Sequence, residues 1–218
     1  MKKTSMRVLP AYLAGAAVVT YLVFAFLAYS RYPTDFSPIN NNWLSDLGNR
    51  NLNPDGADFY VWGCVAAGVI LGGFFLSLTP WRATGSRIQN WLLLAVQVTG
   101  VVAAISLVMS AVYTEDQFAA HQFWSRFISG GFAAALFVSP FALRRAGRSS
   151  AILIAVAVTG YLSIVARLVF DAAHWLEWPS LALILGFVGW VGWMSASWNR
   201  GQSPKSPRQM SGALKPEA

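Results

Sequence analysis

Charge is what this sequence has least of. Asp, Glu, Lys and Arg together make up 11% of its 218 residues, where a soluble domain carries about a quarter. So few charges cannot cover a water-facing surface, which excludes an ordinary soluble globule. Cysteine is nearly absent as well. Cys64 stands alone inside an apolar block, so neither an intrachain disulfide nor a CxxC or zinc-knuckle site can form. It reads as a small buried apolar side chain. The motifs that fix a reaction are missing: no GxSxG, no Walker A loop, no GxGxxG after a strand, and no HExxH. No internal repeat exists beyond three successive hairpins.

What the sequence does have is long apolar runs, with 56% of residues hydrophobic. Six blocks of about 18 to 22 residues fall roughly at Leu9–Tyr29, Phe59–Leu78, Trp91–Val112, Phe123–Leu143, Ala151–Phe170 and Leu181–Trp198. At about 1.5 Å per residue each reaches the thickness of a hydrocarbon core. A helix satisfies its own backbone, which lipid cannot do. The first block is longer than the roughly 7 to 15 residues of a signal-peptide core, so it is expected to be a retained helix. The expected fold is all-α: a polytopic bundle of six transmembrane helices over residues 9–198. A basic N-terminus (1–8) precedes it, and a tail rich in Ser, Pro, Lys and Gly (199–218) follows, its composition typical of disorder.

The net charge of +7 does not form a nucleic-acid-binding face, and no nucleic-acid partner is expected. The basic residues sit in short clusters between the apolar blocks. Lys2, Lys3 and Arg7 precede the first helix. Arg82 and Arg87 lie between the second and third, and Arg144, Arg145 and Arg148 between the fourth and fifth. Arg200, Lys205, Arg208 and Lys215 follow the sixth. Eight of the nine acids fall on the opposite side, at Asp35, Asp46, Asp55, Asp58, Glu115, Asp116, Asp171 and Glu177. The positive-inside rule then predicts both termini in the cytoplasm of a multi-pass protein of the plasma membrane. Trp43, Trp62, Trp124, Trp175 and Trp178 fall near the outer boundary and Trp81, Trp91 and Trp198 near the inner one, as interfacial anchors do. Small residues are expected to mark helix contacts: Gly68, Gly72 and Gly73, Gly130 and Gly131, and Gly186, Gly189 and Gly192.

The polar residues inside the helices crowd the outer halves. Ser106, Ser110, Tyr113 and Gln117 share one face of helix 3. His121, Ser125 and Ser129 open helix 4, with Arg126 one step round. Thr159, Ser163, Arg167 and Asp171 form a stripe on helix 5 that His174 and Glu177 continue. Three stripes at one depth predict a polar cavity open to the outside. Arg167 and Asp171, one turn apart, are expected to pair. Arg126 and Arg167 pointing into one cavity would make an anion site, for example for a lipid phosphate. Both histidines, with Asp46, are the residue types of a zinc site. Without a supporting spacing no cofactor is expected; if a metal were present, His121, His174 and Asp46 would hold it.

The longest outer loop, residues 30–58, reads Asn42-Trp43-Leu44-Ser45-Asp46-Leu47-Gly48, then Asn53-Pro54 and Phe59, before a Gly-rich apolar helix. In this motif Asp46 can cap a helical turn and Gly48 permits a left-handed residue. The pattern, with His121 opening helix 4, resembles the uncharacterised six-helix membrane family called domain of unknown function nine-nine-eight, over about residues 9–198. It is similar, more distantly, to DRAM-like membrane proteins and to ceramidase-like membrane hydrolases. The last have seven helices and a late paired-histidine motif, where this chain has His174 alone. The resemblance implies a six-helix membrane fold without a defined activity.

Three functions are compatible with these features. The first is binding of a lipid headgroup or small amphiphile in the outer cavity, by residues drawn from Asp46, Ser110, Tyr113, His121, Ser125, Arg126, Arg167, Asp171, His174 and Glu177, with membrane lipids as partners. The second is metal-dependent hydrolysis of a lipid-like substrate. The third is transport, ranked last because the helix centres are continuous and apolar apart from Gln97.

Overall fold

The computed structural model describes residues 3–37, 42–84, 86–143, 150–169 and 174–201. These residues form six long helices and no strand: α1 (Lys3–Tyr29), α2 (Ala57–Ser77), α3 (Arg87–Val112), α4 (Phe118–Ala142), α5 (Ser150–Val169) and α6 (Glu177–Gly201). Single helical turns at Leu44–Gly48, Thr79–Thr84, Glu115–Gln117 and His174–Leu176 link them. Five of the long helices are long and apolar enough to cross a membrane. In α5 the described apolar stretch is the shorter Leu153–Ala166. The described residues thus form an all-α bundle whose helices are suited by length and composition to a membrane.

The helices run past the apolar blocks at several ends. α3 starts at Arg87 rather than Trp91 because Ser86 caps it. The Ser86 hydroxyl accepts from the Gln89 N–H at 3.3 Å, and the Gln89 side chain accepts from the Ser86 N–H at 3.1 Å. This reciprocal box satisfies two otherwise orphaned donors. α6 begins at Glu177 rather than Leu181. Pro179 sits in its first turn, where its missing N–H costs nothing.

Each helix packs on its neighbours in sequence, and α6 returns to pack on α1, closing a ring of six. Close pairs show the directions. Gly63 meets Phe24 and Gly73 meets Leu13, so α1 and α2 are antiparallel. Gly100 meets Phe75 and Gly68 meets Ala104 and Val108, so α2 and α3 are too. A Cβ on Gly68 would come within 2.9 Å of the Ala104 carbonyl, one on Gly131 within 2.8 Å of the Thr99 carbonyl, and one on Gly192 within 2.6 Å of Ala14. These glycines let backbones approach where lipid supplies no hydrophobic drive. Gly130, Gly186 and Gly189 do not: nothing lies within 4 Å of their Cβ positions. They sit on the open side of their helices, which is the physical reason that spacing alone misassigned them.

The core joins Phe74 and Phe75 of α2, Leu93 and Val96 of α3, Leu136 of α4 and Val188 of α6. Large apolar side chains also cover the outside of the bundle, among them Val19, Phe26, Trp62, Val69, Ile105, Phe137 and Leu162. An outward apolar surface of this extent is tolerated in lipid and not in water. Gln97, a buried polar residue deep in α3, donates to the Phe75 and Leu76 carbonyls at 2.8 and 3.2 Å and to the Thr79 hydroxyl at 3.1 Å. It thereby adds a donor to carbonyls at the end of α2 that the Leu78 N–H and the Thr79 hydroxyl also reach.

Candidate functional site: an amphipathic cavity under the long loop

At the end of the bundle where α1, α3 and α5 finish and α2, α4 and α6 begin, the ring encloses a cavity of about 120 Å³. Its deep walls are apolar, from Ala67, Leu71, Leu107, Phe132, Ile164 and Ile184. Its upper walls carry Tyr21, Tyr60, Ser110, His121, Ser125 and Ser180, and Glu115 and Glu177 stand among them. The helical turn Leu44–Gly48 of the long loop lies over it, contributing Leu44, Ser45 and Gly48.

The loop is held by buried polar contacts. Asn53, with no exposed surface, donates from its side-chain nitrogen to the carbonyls of Ala28 at 3.1 Å and Leu47 at 2.9 Å. The Asp46 carboxylate accepts from the Trp43 N–H and the Asn42 side chain, both at 3.0 Å. This is the cap that the motif predicts, and it accounts for the burial of Asp46. Asn42 also donates to the Tyr32 hydroxyl at 3.2 Å. Burial raises the Tyr32 phenol above its ordinary value. The charges of Asp46 and Glu115 add to the rise, and the Asn42 hydrogen bond opposes it. The Glu177 carboxylate accepts from the Leu44 N–H at 2.6 Å, fastening the loop to α6. Phe36 meets Trp178 edge-on at 6.0 Å between centroids. The Arg31 guanidinium lies 4.2 Å above the Phe59 ring.

His121 has a defined role. Its Nδ1 lies 3.0 Å from the Ser110 carbonyl oxygen and 2.9 Å from that of Tyr113. Carbonyls only accept, so Nδ1 carries the proton and caps the end of α3. The Ser110 hydroxyl, 3.2 Å from the same nitrogen, therefore has no base there. It lies 3.2 Å from the Ser125 hydroxyl instead. Across the cavity, the Ser180 hydroxyl donates to the Leu176 carbonyl at 2.7 Å and receives the Ser163 hydroxyl proton at 2.8 Å. The Tyr21 and Tyr60 hydroxyls lie 3.1 Å apart.

The residues singled out in the sequence divide accordingly. Ser110, His121, Ser125 and Glu177 line the cavity, as does Ser129. Asp46 is buried but lies behind the lining, engaged in its cap. Tyr113 contributes its carbonyl to His121 and is not part of the lining. Arg126 is exposed on α4 and outside the lining, so it does not supply half of an anion site. Thr159 is likewise exposed on α5. The expected stripe there breaks because only Ser163 turns toward α6. The Arg167 side chain, Asp171 and the His174 side chain lie outside the described residues, and with them the expected Arg167–Asp171 pair. Among the described residues no three His, Cys, Asp or Glu are grouped to hold a metal ion. Sequence reasoning passed over Tyr21, Tyr60, Ser180 and, as a site residue, Glu115. Their signal was present as isolated polar atoms within one or two turns of the same helix ends.

No family model matches the chain, and no curated protein or solved structure matches it either.

Proposed function

We propose that this protein binds a small amphiphile, or the head of a lipid, in the cavity beneath the 30–58 loop. In this reading it crosses the plasma membrane six times, with both termini in the cytoplasm and the cavity at the exterior face. One observation carries the reading: a cavity whose deep walls are apolar apart from Ser129 and whose other polar side chains gather toward the loop, within a ring of apolar helices. Such a lining matches a molecule with one apolar and one polar end. The charge asymmetry supports the orientation. The likeness of the loop motif to the domain of unknown function nine-nine-eight belongs to the same proposal.

The test is a binding titration of the full chain in maltoside micelles with decanol, compared with Ala111→Phe, which fills the cavity wall. Saturable binding to the unsubstituted chain that is lost in Ala111→Phe is expected. Equal uptake by both would reduce decanol to micelle partitioning and overturn the proposal.

A further inference from the structure

We infer that the roof of the cavity is a pH-sensitive lid: a proton between the Glu115 and Asp46 carboxyls clasps the Leu44–Gly48 turn to the α3–α4 connection, and its loss lets the turn lift. The clasp acts on the roof alone, whatever the cavity holds. Glu115 stands in the short connection Glu115–Gln117 and lines the cavity. Its carboxyl is hydrogen-bonded to Asp46 in the turn and to Asn49 just beyond it. Two ionised carboxyls only accept, so neither can bond the other. The contact therefore needs one proton. Asp46 is buried, and its Oδ2 already accepts the Trp43 N–H and the Asn42 side chain, so the proton resides on Glu115. One Glu115 oxygen, Oε2, is buried with no hydrogen-bond partner among the described residues, so no donor there takes the proton's place.

The surroundings keep that acid neutral. Burial pushes the Glu115 carboxyl up to about 8; the bond to Asp46 and its charge add to the rise, the Asn49 bond opposes it, and the Glu177 charge adds a little more. The stability that the clasp adds is thus fully present below the ordinary 4.5 and is lost as pH rises to about 8. Tyr32 also faces the pair and, with its raised phenol, keeps its proton throughout. From α4, His121 holds its Nδ1 proton against carbonyls in either charge state. Asp116 is exposed and takes the Thr114 hydroxyl. The described part of α5 presents Ile164. The Asn53 bonds to Ala28 and Leu47 carry no titrating group, so they hold the loop to α1 when the clasp releases.

The experiment is hydrogen–deuterium exchange of the full chain in neutral maltoside micelles from about pH 6 to about 9, each amide corrected for its intrinsic exchange rate at that pH. The expected result is a fall of at least about tenfold in the protection of residues 44–49, with the α2 amides from Leu71 to Phe75 unchanged. Glu115→Gln, whose amide donates to Asp46 without titrating, should keep the turn protected at every pH. Level protection in the unsubstituted chain would overturn the clasp. So would a fall that persists in Glu115→Gln, which would assign it to another group such as His121, or a parallel fall in α2, which would be loss of the whole fold. Should Glu115→Gln fail to fold, infrared difference spectra of the unsubstituted chain decide the matter. A protonated carboxyl band should vanish over the same pH range as the protection, and the absence of such a band would overturn the inference.

Discussion

The Glu177 carboxylate and the Leu44 backbone N–H meet at 2.6 Å although 133 residues of chain separate them. This contact ties the first turn of α6 to the loop that roofs the cavity. A hydrogen bond to a charged acceptor contributes about 1.5–3 kcal/mol. Glu177→Ala is therefore expected to lower thermal stability in micelles by an amount in that range. Glu177→Gln, which keeps an oxygen acceptor, should lose less. No loss in Glu177→Ala would mean that the contact contributes nothing.

His121 closes the end of α3 through the Ser110 and Tyr113 carbonyls. Removing the ring leaves two acceptors uncovered, at a cost of about 1–3 kcal/mol. His121→Ala should unfold at a lower temperature than the unsubstituted chain, whereas Ser110→Ala should stay close to it. The reverse ranking would show that the hydroxyl, and not the ring, secures this corner.

Tyr32 gives the loop an alkaline sensitivity of definite sign. Its phenol titrates above the ordinary 10.0 when folded, so the folded state holds the proton more tightly than the unfolded one. The associated stability is fully present below pH 10 and is lost as pH rises through the raised value. Unfolding of the full chain followed between pH 9 and 12 should show this loss. Tyr32→Phe should flatten that part of the profile. An unchanged profile would assign the alkaline loss to other groups.

The proposed topology rests on twelve of sixteen basic residues falling in alternate connections and the two terminal segments. A reporter fused after Ala218 should read cytoplasmic, and one inserted at Asn51 should read exterior. An exterior C-terminus would turn the whole map over.

Metal content is a separate test. The Asp46 carboxylate is engaged by Trp43 and Asn42 behind the cavity wall, which leaves the set His121, His174 and Asp46 short of the three ligands of a catalytic zinc site. Purified protein should carry no stoichiometric zinc by elemental analysis. About one zinc per chain, lost in both His121→Ala and His174→Ala, would revive a metal-dependent hydrolase.

The helices could be read from the sequence because the requirement behind them is local: a run of apolar residues long enough for lipid, bounded by charge. The cavity wall of α3 and α4 was legible for a related reason, since Ser110, His121 and Ser125 repeat at the helical period on single helices. What could not be read was which stripe faces which neighbour. Thr159 and Arg126 lie within the right period and depth, yet both face away from the bundle. Gly186 and Gly189 share the spacing of Gly192, but only Gly192 meets another helix. Rotation about a helix axis depends on packing across the ring, which no single helix encodes. The same limit hid Tyr21 and Tyr60, whose meeting depends on the register of the α1–α2 hairpin. Asp46 was legible as a cap, and its place behind the wall was not.

Closure of the ring by α6 against α1 has a consequence for biogenesis. Glu177, Ser180 and Ile184 reach the cavity only when the sixth helix has entered the bundle. Until it does, the first five helices lack that wall of the cavity. A ligand captured from the bilayer at that stage would be sealed in by the arriving helix, and Glu177 would then latch Leu44 above it. Occupancy of the cavity would in this way mark a chain whose assembly is complete.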